Sequence, residues 1–532
     1  MGKFMQADKK NRLVVIGLDS ADFYLIRKWM DEGHLPTLTS LAQRGIMQRL
    51  DSTADVGSDT VWPSFFTGTS PAKHNGFFSR RLKCGTYRLI FEPEATIVKR
   101  EPFWMPLGRA GKRIILLDIP KTYPRRDLNA IQLVGWGNHA PGWHADSWPA
   151  EILKEVRDRF GNYPVQDCDR FVPSGFRELS RFYQTLLSGI QKKASVSRHF
   201  LTQEDWDLLI TVFGEPHCAG HNFWHLMDSH HPRYDRKSSE TLGNVILNVY
   251  ASVDAAIGNL METHPDATYV ILSTEGMGPN YTGSFLLPEI LRRLGVASNK
   301  GMLRRWAPSR LWGPHAIRNL RSLLPTPVRR AVESFKHIVP HKSWGSWKTR
   351  LMNASEDWRQ SRAFCVPSDF NGAIRVNLKG REPCGLVEPG PEYDALCGEL
   401  TEALSQLVNA DTGRAAVSEV VRVDSIHQGE HLRNFPDVIV KWKGDAPICR
   451  LSSPRIGTVV GTNQHERSGS HRPYGFIIAA GKPIARGKQS ERGTIMDLAP
   501  TLLHLMGQDA PQDMDGQVLH HLLTEEDSKD AQ

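Results

Sequence analysis

Several features are missing from this chain of 532 residues. No apolar stretch is long enough to span a membrane, and residues 1–11 are polar and basic, without the apolar core of a signal peptide. The seven cysteines are scattered, odd in number and free of Cys-x-x-Cys pairs, which argues against a disulfide framework and a thiolate zinc site. Internal repeats and low-complexity tracts are absent as well. We therefore expect a globular, cytoplasmic protein.

The composition agrees with this expectation. A hydrophobic content of 40% and a charged content of 23% are typical of soluble globular proteins. The length fits one large α/β domain with a substantial insertion, or two to three domains. A formal charge of +8 indicates an acidic partner, without deciding between a small anionic substrate, nucleic acid and a membrane surface.

Short apolar runs that alternate with helical patterns predict an α/β fold, with a mainly parallel central sheet and helices on both faces. The clearest strand candidates are residues 12–19, 112–120, 206–213, 268–273 and 475–481. Long helices are predicted over residues 240–262 and 494–505. We assign residues 10–135, 200–287 and 364–522 to a discontinuous core, 136–199 and 288–363 to cap segments, and 523–532 to a disordered tail.

The second cap segment is basic and contains several tryptophans. Such a composition can stack bases and hold phosphates, which is the nucleic-acid interpretation. Its charges are spread along the segment rather than concentrated on one periodic face. We therefore favour a solvated helical cap or an oligomer contact, and do not expect a nucleic-acid partner.

A polar cluster precedes an apolar run at residues 56–76. Ser58, Asp59 and Thr60 stand just before residues with helical spacing, so one interpretation is a helix with a side-chain N-cap. A hydroxyl group at a helix N-terminus also lies where an alkoxide or a phosphate is stabilised. Both interpretations, a cap and a nucleophile, remain open on this stretch alone.

Two acidic residues follow predicted strands directly. Asp19 comes after the first strand and Glu275 after the strand at 268–273. In a parallel sheet the carboxyl ends of the strands form the ligand-binding edge, which would place both carboxylates in a site. The alternative for Asp19 is an N-cap of the helix that follows it.

Histidines recur at helical spacing after the strand at 206–213. His217, His221 and His225 are four residues apart, so on a helix they share a face, and a pair at this spacing can bind one metal ion. The alternatives are capping and hydrogen bonding in the core. His471 lies in a polar stretch before a late strand and can supply a distant further ligand.

The order of these motifs resembles the alkaline phosphatase superfamily, in particular the branch of type I phosphodiesterases and nucleotide pyrophosphatases. The resemblance rests on the acid after the first strand, a hydroxyl nine residues before a Thr-Gly, and a set of short motifs along most of the chain. These motifs are Pro-x-x-His (71–74), Glu-Pro-x-x-x-Gly-His (215–221), Gly-Met (276–277), His-Arg-Pro (471–473), Asp-Leu-Ala-Pro-Thr (497–501) and Met-Asp-Gly (514–516).

The resemblance implies a metal-dependent hydrolase or transferase of small anionic phosphate mono- or diesters, acting through a covalent phosphoseryl intermediate. Two divalent metals, usually zinc, are implied. Counting back from Thr67 selects Ser58 as the nucleophile, with Thr60 as the alternative. Asp19 and Ser58 match ligands of the activating metal, and His221 and His471 match ligands of the other. Basic residues that could hold the substrate phosphate are Lys73, His74 and Arg472.

The chain departs from the family pattern at two places. His217 replaces a usual Asp, which gives one site three imidazoles and suits Zn²⁺ with an open position. Thr274 and Glu275 replace a usual Asp-His pair, which leaves the other site with the oxygen ligands of Asp19, Ser58 and Glu275. Such a site favours Mg²⁺ or Mn²⁺, or stays empty. A binding or regulatory protein that keeps the fold, and a sulfate-ester hydrolase, are the alternatives.

Overall fold

The computed structural model describes residues 12–78, 80–91, 98–137, 144–165, 168, 175–298, 358–463, 467–487 and 492–524. The strands in these residues are β1 (Leu13–Leu18), β2 (Ile46–Asp51), β3 (Arg80–Leu82), β4 (Leu89–Phe91), β5 (Ile114–Leu117), β6 (Ala130–Val134), β7 (Asp146–Trp148), β8 (Leu208–Phe213), β9 (Thr268–Ser273), β10 (Gly276–Pro279), β11 (Ala363–Cys365), β12 (Gly372–Val376), β13 (Val408–Asn409), β14 (Arg414–Ala415), β15 (Val417–Arg422), β16 (Val438–Trp442), β17 (Arg450–Ser453), β18 (Gly457–Val460), β19 (Gly469–Arg472), β20 (Tyr474–Ala480) and β21 (Gly493–Thr494).

The helices are distributed along the whole described chain. They are α1 (Phe23–Asp31), α2 (Pro36–Arg44), α3 (Val61–Thr67), α4 (Pro71–His74), α5 (Trp104–Arg109), α6 (Glu151–Phe160), α7 (Phe176–Gln203), α8 (Glu215–Met227), α9 (Arg236–Leu242), α10 (Val245–Met261), α11 (Leu287–Arg293), α12 (Pro391–Ser405), α13 (Val423–Ile426) and α14 (Leu498–Leu505). None of them has the length and apolarity that crossing a bilayer requires.

A nine-stranded sheet forms the centre of the molecule, in the order β21-β2-β20-β9-β1-β8-β5-β6-β7. The five strands from β9 to β6 pair in parallel, whereas β20 and β7 run antiparallel to their neighbours. The predicted mainly parallel sheet is therefore confirmed. Its central strands place their carboxyl ends at one edge, where the site lies.

Helices cover both faces of this sheet, as predicted. Along β1, Val14, Ile16 and Leu18 face the core formed by α1, α2, α7, α8 and α10, while Leu13 and Val15 face the core formed by α3, α5 and α14. Burial on both faces explains why β1 reads as a continuous apolar run rather than as an alternating pattern.

A second, smaller core is built on two antiparallel sheets. Their strand orders are β11-β12-β16-β15 and β14-β13-β17-β18, and α11 and α12 pack with them. In sequence this part lies between β10 and β19, which pair with each other. The chain therefore leaves the edge of the main sheet, builds the smaller core and returns to the same edge.

The first cap segment contributes to the main domain where the structure describes it. β7 joins the main sheet, and α7 buries Leu186, Ile190 and Phe200 in the core that it shares with α8 and α10. Of the second cap segment, residues 299–357 lie outside the described residues. Residues 10–11 and 525–532, at the ends of the assigned core and tail, lie outside them too. The domain boundaries stay a prediction.

The predicted helix over residues 240–262 is wrong in one respect, because the structure has two helices there. α9 ends before Gly243, whose φ of 67° is left-handed, and Asn244 accepts a hydrogen bond from the backbone N–H of Leu247 to start α10. A left-handed glycine followed by an Asn cap is a typical helix break.

Candidate functional site

Three neighbouring parallel strands deliver acidic residues to one edge of the main sheet. Asp19 follows β1, Glu215 follows β8 as the first residue of α8, and Glu275 follows β9. The pairing of β1 with both β8 and β9 brings these strand ends together. All three side chains are buried, with at most 4% of each exposed.

Asp19 is not the N-cap of the helix that follows it. That position is taken by Asp22, whose carboxylate accepts hydrogen bonds from the backbone N–H groups of Tyr24 and Leu25. Asp19 instead accepts a hydrogen bond from the indole Nε1 of Trp62 at 2.8 Å. The capping interpretation of Asp19 is therefore wrong, and its carboxylate is oriented by a residue of α3.

Ser58 and Thr60 occupy different environments within a single 3₁₀ turn that precedes α3. Ser58 is partly exposed, whereas Thr60 is fully buried and donates its hydroxyl to the carbonyl of Gly57 at 2.7 Å. No side-chain cap hydrogen bond starts α3, so the predicted side-chain cap is wrong.

The Ser58 hydroxyl contacts a carboxylate that the sequence interpretation did not include. Ser58 Oγ donates a hydrogen bond to Asp369 Oδ2, and the backbone N–H of Ser58 donates to the same oxygen at 3.2 Å. Asp369 lies between β11 and β12 of the smaller core. No periodic pattern or motif marks it, and only the fold brings it to Ser58.

Three histidines converge at the same edge. His221 Nε2 lies 3.1 Å from His217 Nε2 and 3.2 Å from His471 Nε2. The predicted helix over the first two is confirmed as α8, and β19 supplies the third. His225, one turn further along α8, is not part of this cluster; its ring faces His231 at 6.2 Å.

The hydrogen bonds of the cluster decide which nitrogens carry protons. His221 Nδ1 lies 2.8 Å from the carbonyl oxygen of Gly469, and His471 Nδ1 lies 3.1 Å from Glu275 Oε1. Because both partners can only accept from an imidazole, the two Nδ1 atoms carry the protons and the Nε2 atoms present lone pairs. Lone pairs that face each other this closely call for a cation between them.

The cluster fits a zinc ion. With Zn–N bonds of about 2.0–2.1 Å, tetrahedral ligand nitrogens lie roughly 3.3 Å apart, close to the observed spacing. All three side chains are buried, and their ligand atoms lie within 4.8 Å of one another. Arg467 Nη1 is the cation that approaches in this structure, 3.2 Å from His221 Nε2. The three imidazoles could therefore hold a metal ion, with a fourth position left open.

Glu275 is directed at the histidine cluster. Its Oε1 accepts a hydrogen bond from Ser20 Oγ at 3.0 Å. The same oxygen lies 3.1 Å from His471 Nδ1. Burial raises the pKa of Glu275 above its ordinary value, although His471 opposes that shift. Burial alone would lower the pKa of His471, but the charge and hydrogen bond of Glu275 outweigh it, and the net shift is upward.

Two groups of three possible metal-binding side chains occur among the described residues, and neither contains Asp19 or Glu275. The second group consists of Cys168, Cys218 and His217, all buried. The lack of Cys-x-x-Cys pairs argued against such a set, but the fold brings together cysteines that are far apart in sequence. No disulfide bond joins any of the seven cysteines, all of which are described.

The three predicted phosphate-binding residues have protein partners. Lys73 forms an ion pair with Asp515 at 2.5 Å, and the guanidinium of Arg472 donates to the carbonyl of Pro279 at 2.9 Å. His74 is fully buried, and burial lowers its pKa to about 3. Two other cations contact residues of the site: Lys121 forms an ion pair with Asp59, next to Ser58, and Arg467 contacts His221.

The fold and the side chains at its edge define an α/β protein of the alkaline phosphatase superfamily. Residues 13–440 match the model of the type I phosphodiesterase / nucleotide pyrophosphatase family, and the chain belongs to that family. This is a family of metal-dependent phosphate-ester hydrolases. The predicted resemblance is thereby confirmed.

Solved structures of other proteins resemble the chain at low identity. A phosphonoacetate hydrolase from Sinorhizobium meliloti 1021 is 11% identical, with a TM-score of 0.48, over 94% of this chain and 96% of that one. Human ectonucleotide pyrophosphatase / phosphodiesterase 5 is 12% identical, with a TM-score of 0.47, over 97% of this chain and 100% of that one. No curated protein matches the chain.

Proposed function

We propose that the protein cleaves a phosphate ester by attack of Ser58 on phosphorus, through a covalent phosphoseryl intermediate. The supporting observation is a partly exposed serine hydroxyl at the same sheet edge as a buried cluster of three imidazoles. The loop that carries Asp369 connects the two: Asp369 contacts Ser58, and the ring of the adjacent Phe370 lies 6.4 Å from His471.

The choice of Ser58 over Thr60 rests on access. Thr60 donates its hydroxyl to the carbonyl oxygens of Thr53 and Gly57 and is shielded from solvent. Ser58 is partly exposed, so a substrate can approach it from solvent. A serine forms a covalent intermediate only if a neighbouring group activates it, since its hydroxyl is a weak nucleophile at its ordinary pKa.

His217, His221 and His471 would hold the metal, which we propose to be Zn²⁺. When bound there, the ion would stabilise charge that develops on the phosphoryl oxygens. The chain itself orients the ligands, because Gly469 and Glu275 fix the tautomers of two imidazoles. Lys121 and Arg467 would bind the remaining phosphate oxygens.

A comparison of Ser58→Ala with wild type tests this proposal. Hydrolysis of p-nitrophenyl phosphate, its bis-ester and p-nitrophenyl sulfate would be followed with Zn²⁺, Mg²⁺ or Mn²⁺ added, and bound metal measured by mass spectrometry. We expect cleavage of one phosphate ester by wild type, none by Ser58→Ala, and equal metal content in both. Acid quenching during turnover should trap phosphate on the peptide that contains Ser58.

Thr60→Val is the matched control, since it removes the neighbouring hydroxyl while keeping the shape of the side chain. An active Ser58→Ala enzyme together with an inactive, folded Thr60→Val enzyme would transfer the role of nucleophile to Thr60. Cleavage of the sulfate ester alone would replace phosphate with sulfate as the substrate group. Binding of phosphate esters without cleavage under any metal would favour a binding protein.

A further inference from the structure

We propose that Asp369 acts as the general base that takes the proton of Ser58 during the attack on phosphorus. This inference rests on the proposed function and extends it. The geometry carries it: both the hydroxyl and the backbone N–H of Ser58 donate to Asp369 Oδ2. A base must lie within hydrogen-bond reach of the proton that it removes, and Asp369 meets that requirement.

The close contacts of the Asp369 carboxylate are with Ser58, and its negative charge also acts on His471 and Glu275. Within the part of the chain that the structure describes, no basic side chain forms an ion pair with it, and Ser58 supplies both of its hydrogen bonds. Asp369 is partly exposed, as Ser58 is, so the pair lies at the entrance of the site.

The loop that carries Asp369 is fixed on both sides. Asn371 donates its side-chain amide to the carbonyl of Asp55 at 2.8 Å, three residues before Ser58. Thr282 donates its hydroxyl to the carbonyl of Phe370 at 2.7 Å. The smaller core therefore holds Asp369 against the main domain before any substrate binds, which is the preorganisation that a catalytic group requires.

The other carboxylates of the edge have different partners. Glu275 faces His471 and Ser20, and Asp19 accepts from the indole of Trp62. The sequence predicted that a metal at Asp19 and Glu275 activates the serine, yet Asp369 is the carboxylate that contacts the hydroxyl.

The proposed step balances. As the bond from Ser58 Oγ to phosphorus forms, the Oγ–H bond breaks and the proton moves to Asp369 Oδ2. The bond from phosphorus to the leaving oxygen breaks with its electron pair, and the leaving alkoxide takes a proton from water. In the second half, water attacks phosphorus and loses a proton to solvent. The electron pair of the Oγ–P bond returns to Ser58, which regains its proton from Asp369.

Asp369→Asn tests the step, because Asn keeps the shape and the acceptor but cannot take the proton. We expect kcat for p-nitrophenyl phosphate or its bis-ester to fall by about 100- to 10,000-fold, the usual contribution of a general base. KM and bound metal should stay unchanged. Asp445→Asn, at an exposed carboxylate of the smaller core that pairs with Arg414, is the matched control and should retain wild-type rates.

Chemical rescue separates proton transfer from a structural role. In Asp369→Ala, added formate can enter the space of the lost carboxylate, and we expect it to restore part of kcat in proportion to its concentration. Ser58→Ala, which lacks the hydroxyl, should not respond. A merely structural Asp369 would give no rescue, and that result would overturn the proposal.

Four other outcomes are decisive. Loss of one bound metal in Asp369→Asn would make Asp369 a metal ligand instead of a base. A rate loss that grows as the leaving group becomes more basic would make it an acid for the leaving oxygen. An inactive Ser58→Ala with a nearly wild-type Asp369→Asn would refute the base alone, whereas an active Ser58→Ala would refute the proposed function itself.

Discussion

At the scale of single residues, the histidine cluster depends on what each imidazole accepts or donates. His217 and His225 lie on the same face of α8, but only His217 joins His221 and His471. Helical spacing alone cannot distinguish them. It places both histidines on one face of α8, but it does not show which element packs against each turn of that face. The position of β19, which carries His471, determines that His217 and His221 join the cluster and that His225 does not.

His217→Ala should therefore lower the affinity for Zn²⁺ by more than about ten-fold, since it removes one of three nitrogen ligands. His225→Ala, one turn along the same face, should leave the affinity unchanged. Competition with a chromophoric chelator measures both. Equal affinities for wild type and His217→Ala would return His217 to a structural role, with Cys168 and Cys218 as its neighbours.

Glu275→Gln addresses the role of the buried carboxylate. A glutamine still accepts from Ser20 but carries no charge to support the proton on His471 Nδ1. We expect the affinity for Zn²⁺ to fall by about ten-fold, while the number of ions bound at saturation stays the same. A drop from two bound ions to one would instead identify Glu275 as a ligand of a second metal.

His74 illustrates a buried histidine with a structural role. Its Nδ1 accepts from the backbone N–H of Gly76 at 3.0 Å, so Nε2 carries the proton and donates to Ser64 Oγ at 2.9 Å. Burial holds its pKa near 3 in the folded protein, below the ordinary 6.5 of the unfolded chain. Between these values the unfolded chain binds more protons, so acid favours unfolding.

The contribution of His74 to stability is therefore complete above about pH 6.5 and declines as the pH falls toward 3. Its share of the slope is at most about 1.4 kcal/mol per pH unit. Urea unfolding at a series of pH values should show a smaller slope for His74→Gln than for wild type. His230→Gln, at a side chain that is 91% exposed, should keep the wild-type slope.

At the scale of elements, the site requires α8 and β19 to approach within backbone contact. Ser468 donates its N–H to the carbonyl of His221 at 2.7 Å, and a Cβ on Gly469 would overlap the carbonyl oxygen of Gly220. The missing side chain of Gly469 allows β19 to lie against the helix, and that of Gly220 leaves room for Met277 of β10. The approach places His471 beside His221, so the packing of the two elements sets the geometry of the ligands.

Gly469→Ala should push β19 away from α8 and separate His471 from the other two imidazoles. We expect the affinity for Zn²⁺ to fall by about ten-fold or more, with little change in far-UV circular dichroism. Gly398→Ala on α12, where an added Cβ meets nothing within 4 Å, is the control and should bind Zn²⁺ as wild type does. If Gly469→Ala binds Zn²⁺ with unchanged affinity, the contact between α8 and β19 accommodates the added methyl group without moving His471.

Elements of this fold differ in how far the sequence predicts them. β1 and β9 are buried on both faces and show as continuous apolar runs, so their positions follow from composition. His217 and His221 follow from helical spacing. The polar stretch around His471 marked it only as a possible distant ligand, and the family resemblance was needed to assign it to the same metal as His221. Asp369 had no sequence signal, since a loop of the smaller core positions it only through tertiary contacts.

At the scale of the whole molecule, a metal ion at the proposed site would couple binding to folding. The ligands come from α8 and β19, and the smaller core lies between these two elements in sequence. The unfolded chain has no preformed site, so an ion that binds the folded protein stabilises it. Zn²⁺ should thus act as a link between the two halves of the main domain.

Free Zn²⁺ at about 100 times its Kd should raise the free energy of unfolding by about 2.7 kcal/mol. Thermal and urea unfolding of the metal-stripped protein, with and without added Zn²⁺, measure this change. His471→Ala should show a clearly smaller shift of its urea midpoint on addition of Zn²⁺ than wild type does. If added Zn²⁺ does not change the free energy of unfolding of the wild type, Zn²⁺ does not bind this cluster in the folded state.

The separation of His221 and His471 by 250 residues also has a consequence for biosynthesis. At about 5–20 residues per second, a ribosome needs roughly 10 to 50 s to add that stretch. A nascent chain that has just exposed α8 can offer only two of the three imidazoles. An ion at the proposed site would therefore be captured only after β19 has emerged, and a truncated translation product that ends before β19 would lack the third imidazole.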